Sequence, residues 1–379
     1  MSRIEPLLNP DAFVGLEGVA HLCTGGEAPW LRAHDEVYAD FARLKSGGEA
    51  GRAEVYRRGD ECRGRMGALW GVPPARVGFV GSAAEGMSWL ARGLEWEAGQ
   101  NVVTTNLEFP SVAYAWRAAR ERGVEVRLVP HRDWLVAEED LLAAVDERTR
   151  VLAVSHVSFY TGQALDLERL ADGLSRRSPD CLLAVDATHS SGVLRVPAEA
   201  ADLCVSSCYK WLLATHGAAA CYLSERAEAA VRESAFGWHN LAVWPAQGAE
   251  RAADVAVKAM PDKLEPGNPA MVVLLFLNRA LEELTRVGIA RIEEHARDLS
   301  EETAAGLEEL GHRVISPRER WRRSGNTCFA CGDARGLQDR LAGENVLVWG
   351  EYGRVRVSGH LYNGSADVEA LLAALRGLA

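Results

Sequence analysis

Short apolar runs alternate with helix-like segments along the middle of the chain, from residue 77 to residue 223. Runs of this length are typical of buried strands, and the segments between them repeat apolar residues at helical spacing. Such alternation predicts a parallel sheet with helices on both faces. The predicted strands are Val77–Val80, Val102–Thr105, Val124–Val129, Val151–Val157, Cys181–Asp186, Leu203–Ser207 and Ala218–Leu223. The predicted helices between them are Ala83–Leu94, Ser111–Glu121, Glu138–Val145 and Leu167–Arg176.

The alternation breaks down across Trp244–Pro269, where glycine, proline and charged residues replace the apolar runs. A charged amphipathic helix, Arg52–Trp70, precedes the sheet, and two more helices, Val272–Arg286 and Asp367–Leu378, follow the break. Because 379 residues exceed the size at which one hydrophobic core keeps growing, we predict two domains. The predicted domains are a large one, residues 20–260, with a mostly parallel seven-stranded sheet, and a smaller C-terminal α/β domain made of residues 1–19 and 261–379.

Composition narrows the picture mainly by exclusion. The formal net charge of −11 argues against nucleic acid and against anionic membranes as partners. Residues 1–10 carry an acid, a base and prolines rather than the apolar core of a leader, and no apolar run is long enough to span a bilayer. Eight cysteines without the spacing of a disulfide-rich domain fit a reducing compartment, so we expect a cytoplasmic protein.

Cys328 and Cys331 have the C-x-x-C spacing of many zinc sites. No second pair and no nearby histidine completes a set of ligands, and the apolar residues between the two cysteines indicate a strand. We therefore interpret both cysteines as structural and expect no metal.

Lys210 is the first candidate for chemistry. It follows the apolar run that ends in Ser206 and Ser207, and it precedes a second apolar segment that begins at Trp211. Burial between two such segments disfavours the ammonium form, and an uncharged amine is a nucleophile that can form a Schiff base. The alternative is a surface lysine at the end of a hairpin.

An acid and a histidine follow the predicted strand Cys181–Asp186. In open α/β sheets, ligands bind at the carboxyl ends of the strands, so Asp186 can face a cofactor. A carboxylate there can hold a protonated pyridine nitrogen and keep the ring an electron sink. His189 can hydrogen-bond the ring hydroxyl or the Schiff-base region, although a lone histidine after a strand is more often structural.

A third candidate lies where the predicted strand Val77–Val80 turns through Gly81 and Ser82 into a helix. The first turn of a helix presents unpaired backbone N–H groups and a positive dipole end, which together bind anions such as phosphate. Such junctions also occur in many α/β proteins without a ligand.

These segments together resemble a known family. The motifs are Ser-Cys-Tyr-Lys-Trp-Leu-Leu at 207–213, Val-Asp-Ala-Thr-His at 185–189, Gly-Ser-Ala-Ala-Glu-Gly at 81–86, Leu-Glu-Phe-Pro-Ser at 107–111 and Val-Arg-Val-Ser-Gly-His-Leu-Tyr-Asn at 355–363. In order and spacing they resemble the class V aminotransferases, fold-type I pyridoxal-phosphate enzymes that include cysteine desulfurases, kynureninases and isopenicillin-epimerase-like proteins. The resemblance covers essentially the whole chain and implies the PLP-dependent transferase fold type I, with pyridoxal 5'-phosphate as cofactor.

The resemblance also implies roles for single residues. Lys210 would form the Schiff base and shuttle the α-proton, Asp186 would pair with the pyridine nitrogen, and His189 would contact the phenolic oxygen. The ring of Phe109 would stack on the pyridine, where offset stacking contributes about 0.5–1.5 kcal/mol beyond burial. The residues placed around the phosphate are Ser82, Ala83, Ala84, Ser207 and Tyr209.

Two further residues take roles from the resemblance, and a third, Trp238, is a separate hypothesis from its own segment. Arg356 corresponds to the arginine that binds the α-carboxylate of the substrate, a task that suits a planar and permanently charged guanidinium. The loop that contains Asn268 resembles the segment that crosses a dimer interface to the partner's cofactor phosphate, which implies a homodimer. Trp238 is a candidate for the wall of the substrate pocket.

The motifs do not decide which reaction follows. The same cofactor supports transamination, racemisation and elimination, depending on the groups near the leaving group. Residues 346–353, just before Arg356, contain no cysteine, which disfavours the persulfide chemistry of the desulfurases. Phe159 stands where many desulfurases carry asparagine. We therefore expect an aminotransferase for a small amino acid, with a carbon–sulfur or β-elimination lyase or an epimerase as alternatives, and a non-catalytic phosphometabolite-binding protein as an alternative of another class.

Overall fold

The computed structural model describes residues 3–243 and 256–378. Residues 244–255, which belong to the predicted break at Trp244–Pro269, therefore lie outside the described residues. The strands are β1 (Ala20–His21), β2 (Val77–Val80), β3 (Asn101–Thr105), β4 (Glu125–Val129), β5 (Thr149–Ser155), β6 (Leu182–Asp186), β7 (Leu203–Ser207), β8 (Ala219–Leu223), β9 (Asn326–Ala330), β10 (Val346–Leu347), β11 (Trp349–Glu351) and β12 (Arg354–Ser358).

Helices occupy a large share of the remaining described chain. They are α1 (Ala33–Lys45), α2 (Gly48–Trp70), α3 (Ala83–Gly93), α4 (Pro110–Ala113), α5 (Arg117–Arg120), α6 (Glu138–Ala143), α7 (Leu167–Arg177), α8 (Glu225–Ala230), α9 (Met271–Val287), α10 (Ile289–Glu309), α11 (Ala334–Gly343) and α12 (Ser365–Leu378). Among the described residues, no helix combines the length and the apolarity that crossing a bilayer requires.

The predicted seven-stranded sheet is confirmed, with the strand order β2-β8-β7-β6-β5-β3-β4. Only β8 runs antiparallel to its neighbours, β2 and β7, so the sheet is mostly parallel. In β5, Ser155 lies beside Asp186 of β6, which in turn lies beside Val205 of β7. This register brings the carboxyl ends of three parallel strands to one edge of the sheet.

Both faces of the sheet are buried at β5, which explains why the middle of this strand is apolar, whereas the edge strand β4 keeps exposed residues such as Glu125. In β5, Leu152 and Val154 pack into the core on one face, while Val151 and Ala153 pack into the core on the other. Successive side chains of a strand point to opposite faces, so a strand covered on both sides has no polar alternation. The sequence pattern therefore identified these strands by their length and their flanking turns.

The predicted helix Ser111–Glu121 is wrong. The segment forms two separate helical turns, α4 and α5, joined through Tyr114 to Trp116. Trp116 is fully buried and meets the ring of Trp96 edge-on, with 6.2 Å between the ring centroids. This tertiary contact overrides a helical pattern that included two aromatic residues of modest helix propensity.

The C-terminal part contains a three-stranded antiparallel sheet, ordered β11-β12-β9, with α10, α11 and α12 packed nearby. The strand predicted at Cys328 to Cys331 overlaps β9, but the sequence pattern missed the long helix α10, which Gly288 separates from α9 with a φ of 90°. Strand β1 pairs in parallel with β10, so residues at the start of the predicted large domain join the C-terminal part. The predicted division at residues 260 and 261 stays a prediction.

One buried ion pair joins the two parts of the chain. Glu138 in α6 has no exposed surface, accepts the Asp166 backbone N–H at 2.9 Å, and pairs with Arg322 at 2.7 Å. Its neighbour Glu139 is more than half exposed and pairs with Arg169 at the surface.

We predict that Glu138→Ala lowers the free energy of unfolding by about 3–5 kcal/mol, because it leaves Arg322 without its partner in a buried site. The matched change Glu139→Ala removes an exposed pair and should shift stability by less than about 1 kcal/mol. Denaturant unfolding of both variants checks the difference, and equal losses would contradict the assigned role of Glu138.

Candidate active site

A cavity of about 150 Å³ opens at the carboxyl ends of β5, β6 and β7, beside the N-terminus of α3. Nine of the residues predicted from the sequence line it together: Ser82, Ala83, Ala84, Phe109, Asp186, His189, Ser207, Tyr209 and Lys210. Segments that are far apart in the chain thus meet at the edge of the sheet where α/β proteins bind ligands.

Lys210 follows β7 and extends into this cavity with only 7% of its surface exposed. Burial, together with the nearby positive charge of Arg356, lowers the pKa of the Lys210 amine to about 8. Its Nζ lies 3.2 Å from His189 Nε2 and 5.5 Å from the centroid of the Phe109 ring. An amine with this pKa is uncharged in a useful fraction of molecules near neutral pH, so it can act as a nucleophile.

His189 is held by residues from the C-terminal part. Ser358 Oγ donates to Asn326 Oδ1 at 2.8 Å, and Asn326 Nδ2 lies 3.2 Å from His189 Nδ1. Burial, and then the charge of Lys210, lowers the pKa of His189 well below its ordinary value, so the imidazole is neutral. With Nδ1 accepting from Asn326, the proton sits on Nε2 and points at the lysine amine.

Asp186 is a buried acid that forms no salt bridge with the other described residues. Its Oδ1 accepts the Thr188 N–H at 2.8 Å. Burial raises the pKa of the Asp186 carboxyl above its ordinary value, although the hydrogen bonds from Thr188 and the charge of Lys210 act in the opposite direction. A positively charged ring nitrogen placed against this carboxylate would relieve the desolvation, which is what the pyridine of pyridoxal phosphate offers.

Sequence reasoning missed a second buried acid, Glu108. Its carboxylate accepts the Ser155 backbone N–H at 2.8 Å and the Ser155 hydroxyl at 2.5 Å. Burial raises the pKa of Glu108 to about 7, while the bonds from Ser155 lower it and the charge of Asp186 raises it further. The sequence contained one signal for Glu108, which is its position inside the motif Leu-Glu-Phe-Pro-Ser at 107–111.

The N-terminus of α3 lines the opposite end of the cavity. Ser82 caps α3 by accepting the Glu85 N–H at 3.1 Å, and Glu85 accepts the Gly81 N–H at 2.7 Å in return. The backbone groups of Ala83 and Ala84 therefore face the cavity at the positive end of an 11-residue helix. A Cβ at Gly86 would lie 3.0 Å from Val205, so glycine lets α3 approach β7 closely.

Arg356 on β12 is buried next to this cavity. Its Nη1 donates to the Phe159 carbonyl at 3.1 Å, while its Nε is buried without a hydrogen-bond partner. Burial, and then the charge of Arg354, lowers the pKa of Arg356 to about 10. A Cβ at Gly25 would lie 3.1 Å from that Nε, so the glycine keeps the approach to the guanidinium open. A carboxylate would satisfy the free N–H.

Asn268 and Trp238 do not join this cavity. Asn268 lies in another recess of about 250 Å³, where Tyr56 donates a hydrogen bond to its Oδ1. The guanidinium of Arg52, which lines the same recess, lies 5.6 Å from the Trp238 ring. Because the predicted role of Asn268 needs a second subunit, it stays a prediction, and so does the role of Trp238.

Among the described residues, the cysteines and the acidic clusters do not form a second candidate site. All eight cysteines are free, and Cys331 alone is partly exposed. Among the described residues, one group, His239, Asp262 and Glu265, brings its ligand atoms within 4.8 Å of one another. There Lys258 pairs with Asp262 at 2.9 Å and Arg63 pairs with Glu265 at 3.0 Å, so nearby cations already compensate both acids.

Comparison with known proteins agrees with this geometry. Residues 30–371 match the model of a family described as Aminotransferase class-V. The chain belongs to the class V aminotransferase family. Pyridoxal phosphate is therefore its cofactor, as the resemblance implied, and the acid, the lysine and the helix N-terminus around the cavity fit that group.

Individual relatives differ in their activities. An uncharacterized aminotransferase from Schizosaccharomyces pombe is 26% identical over 309 residues, which are 78% of this chain and 75% of that protein. The isopenicillin N epimerase of Amycolatopsis lactamdurans is 26% identical over 335 residues, which are 83% of this chain and 84% of the epimerase. An apo cysteine desulfurase from Thermococcus onnurineus superposes with a TM-score of 0.89 at 20% identity and covers 99% of both chains, which confirms the fold.

The lowered pKa of Lys210 predicts how the cofactor-free protein reacts with pyridoxal phosphate. Only the uncharged amine attacks an aldehyde, so the rate of colour formation should rise with pH through about 8 and level off above it. Stopped-flow absorbance between pH 6 and about 10.5 measures this midpoint.

Two variants control this experiment. Lys258→Arg replaces a half-exposed lysine that pairs with Asp262 and should leave the profile unchanged. Lys210→Ala should abolish the reaction. A rate still rising steeply at the ordinary lysine pKa would show that the amine is not desolvated.

Proposed function

We propose that this protein is a pyridoxal-phosphate enzyme that acts at the α-carbon of a free amino acid through Lys210, and that its reaction is transamination. The observation that carries the proposal is the Lys210 amine, buried 3.2 Å from His189 in the cavity that also contains Asp186. Burying an amine destabilises the folded protein. A protein that only bound a phosphorylated metabolite would use a charged ammonium, whereas the lowered pKa of Lys210 favours the uncharged amine, which favours catalysis over a non-catalytic scaffold.

The residues of the cavity would hold the cofactor at three points. When bound, pyridoxal phosphate supplies a ring that withdraws electrons from the α-carbon of the substrate. Asp186 would hold the positive charge on the ring nitrogen, and Phe109 would cover one face of the ring. The groups that would bind the phosphate are the Ser82, Ser207 and Tyr209 side chains and the Ala83 and Ala84 N–H groups.

Lys210 would perform two tasks in turn. Its uncharged amine would hold the cofactor at the aldehyde carbon, with release of water, and when an amino acid occupies that position, the freed Nζ would take the proton from the α-carbon. A base with a pKa near 8 suits this proton transfer near neutral pH. His189, fixed by Asn326, would orient the amine through its Nε2.

Arg356 would position the substrate. The Nε–H of its guanidinium has no hydrogen-bond partner among the described residues. A hydrogen bond from Nη1 to the Phe159 carbonyl fixes the plane of the group. Binding the α-carboxylate there would leave the α-proton within reach of Lys210. Charge-assisted bonds of this kind are roughly twice as strong as neutral ones.

Epimerisation is the second candidate, because the relatives of this chain include an isopenicillin N epimerase. Desulfuration through a protein persulfide is less favoured. Cys328 lies next to Arg356 in the sheet register but is fully buried, and burial raises the pKa of its thiol. Residues 346–353 form β10, β11 and the turn after β11, and they contain no cysteine.

The reaction can be identified by incubating the holoenzyme with single amino acids in the absence of a keto-acid acceptor. Transamination should release one equivalent of keto acid per subunit and then stop until an acceptor is added. Continuing release of ammonia would instead indicate elimination, and loss of optical activity without keto acid would indicate epimerisation.

Lys210→Ala is expected to lose all of these activities, whereas Lys258→Arg should retain them. Turnover by Lys210→Ala at the parent rate would overturn the proposed function as a whole. Ammonia release or epimerisation in the absence of an acceptor would overturn transamination alone.

A further inference from the structure

A row of aromatic rings leads from the cavity to the surface. The rings of Phe109 and Phe159 meet edge-on at 5.0 Å, and Phe159 meets Tyr160 edge-on at 5.7 Å. Tyr160 then stacks on Trp134 at 5.3 Å and on Tyr352 at 6.3 Å. We call these five residues the aromatic wall.

The wall begins at the groups proposed to bind the substrate. Phe159 lines the same cavity as Lys210, and its carbonyl accepts hydrogen bonds from both Arg356 and Arg354, at 3.1 Å and 3.0 Å. Arg354 also donates to the Tyr160 carbonyl at 2.6 Å, and its guanidinium lies 4.3 Å from the centre of the Tyr160 ring. A substrate whose carboxylate is bound by Arg356 would therefore lie beside the first rings of the wall.

The outer ring belongs to a residue that is poorly suited to its backbone position. Tyr352 and Gly353 form the two-residue turn between β11 and β12, with φ of 51° and 73°. Turns with two positive φ values favour Asn-Gly or Asp-Gly, and a bulky side chain at the first position is strained. Tyr352 is also 60% exposed, so burial of its side chain does not compensate for the strain.

Trp134, another ring of the aromatic wall, also has a strained backbone conformation. Trp134 has a φ of 70°, and Asp133 before it has a φ of 49°. Contacts from elsewhere fix both strained segments: Arg313 pairs with Asp133 at 2.6 Å, and Tyr160 donates to the Tyr352 carbonyl at 2.5 Å. Strained residues that the surrounding structure maintains are typical of functional sites.

We propose that the aromatic wall binds the side chain of the substrate, and that the substrate is an amino acid with an aromatic side chain. This inference rests on the proposed function, and it replaces the small amino acid expected from the sequence with an aromatic one. Aromatic rings in offset or edge-to-face contact contribute about 0.5–1.5 kcal/mol beyond burial, so the wall distinguishes an aromatic side chain from a methyl group.

The test compares amino-acid binding to the holoenzyme and two variants at Tyr352. Tyr352→Asn removes the ring but places a residue that the turn favours, so the hairpin should be retained. Tyr352→Phe keeps the ring. Dissociation constants for L-phenylalanine, L-tryptophan and L-alanine are measured from the change in the visible absorbance of the bound cofactor.

Phenylalanine and tryptophan should bind to the parent more tightly than alanine. Tyr352→Asn should weaken binding of both aromatic amino acids about twofold to tenfold and leave alanine unchanged, while Tyr352→Phe should bind all three like the parent. Trp321→Ala, which removes a half-exposed ring that contacts Arg322, is the control and should change nothing.

Two results would overturn the inference while leaving the proposed function intact: alanine binding as tightly as phenylalanine, or unchanged phenylalanine binding by Tyr352→Asn. If none of the three amino acids changes the absorbance of the parent while another amino acid does, the wall is not the side-chain site. If no amino acid of any kind changes it, the proposed function itself fails.

Discussion

The burial of the Lys210 amine determines which groups can lie around it in this site. Lys210 is almost completely buried, and the positive charge of Arg356 further disfavours its ammonium form. Keeping both cations in one buried region is unfavourable unless one of them gives up its proton or an anion arrives. This situation agrees with the roles proposed above, in which an aldehyde binds to the amine and a carboxylate binds to the guanidinium.

The two parts of the chain are coupled through this site. The sheet of the N-terminal part positions Lys210 and Asp186, whereas β9 and β12 supply Asn326 and Arg356. The Phe159 carbonyl receives hydrogen bonds from both arginines of β12, so the relative position of the two parts sets the geometry around the amine.

Sequence reasoning found the groups that lie in contiguous motifs after strands or at the start of a helix. Asp186 and Lys210 each follow an apolar strand, and Ser82 precedes a helical pattern, so local rules located them. Asn326 acts only through its contact with His189, which is 137 residues away, and no local pattern encodes such a contact. The break within the predicted helix Ser111–Glu121 has the same origin, since the burial of Trp116 against Trp96 is a tertiary effect.

The proposed Schiff base at Lys210 is tested by locating the covalent bond to the cofactor. The chain has only four lysines, Lys45, Lys210, Lys258 and Lys263, so their modification can be resolved peptide by peptide. The holoenzyme is reduced with borohydride, digested and analysed by mass spectrometry. We expect a phosphopyridoxyl group on Lys210 alone, at close to one per subunit. A label on another lysine with Lys210 unmodified would contradict the proposed role of Lys210.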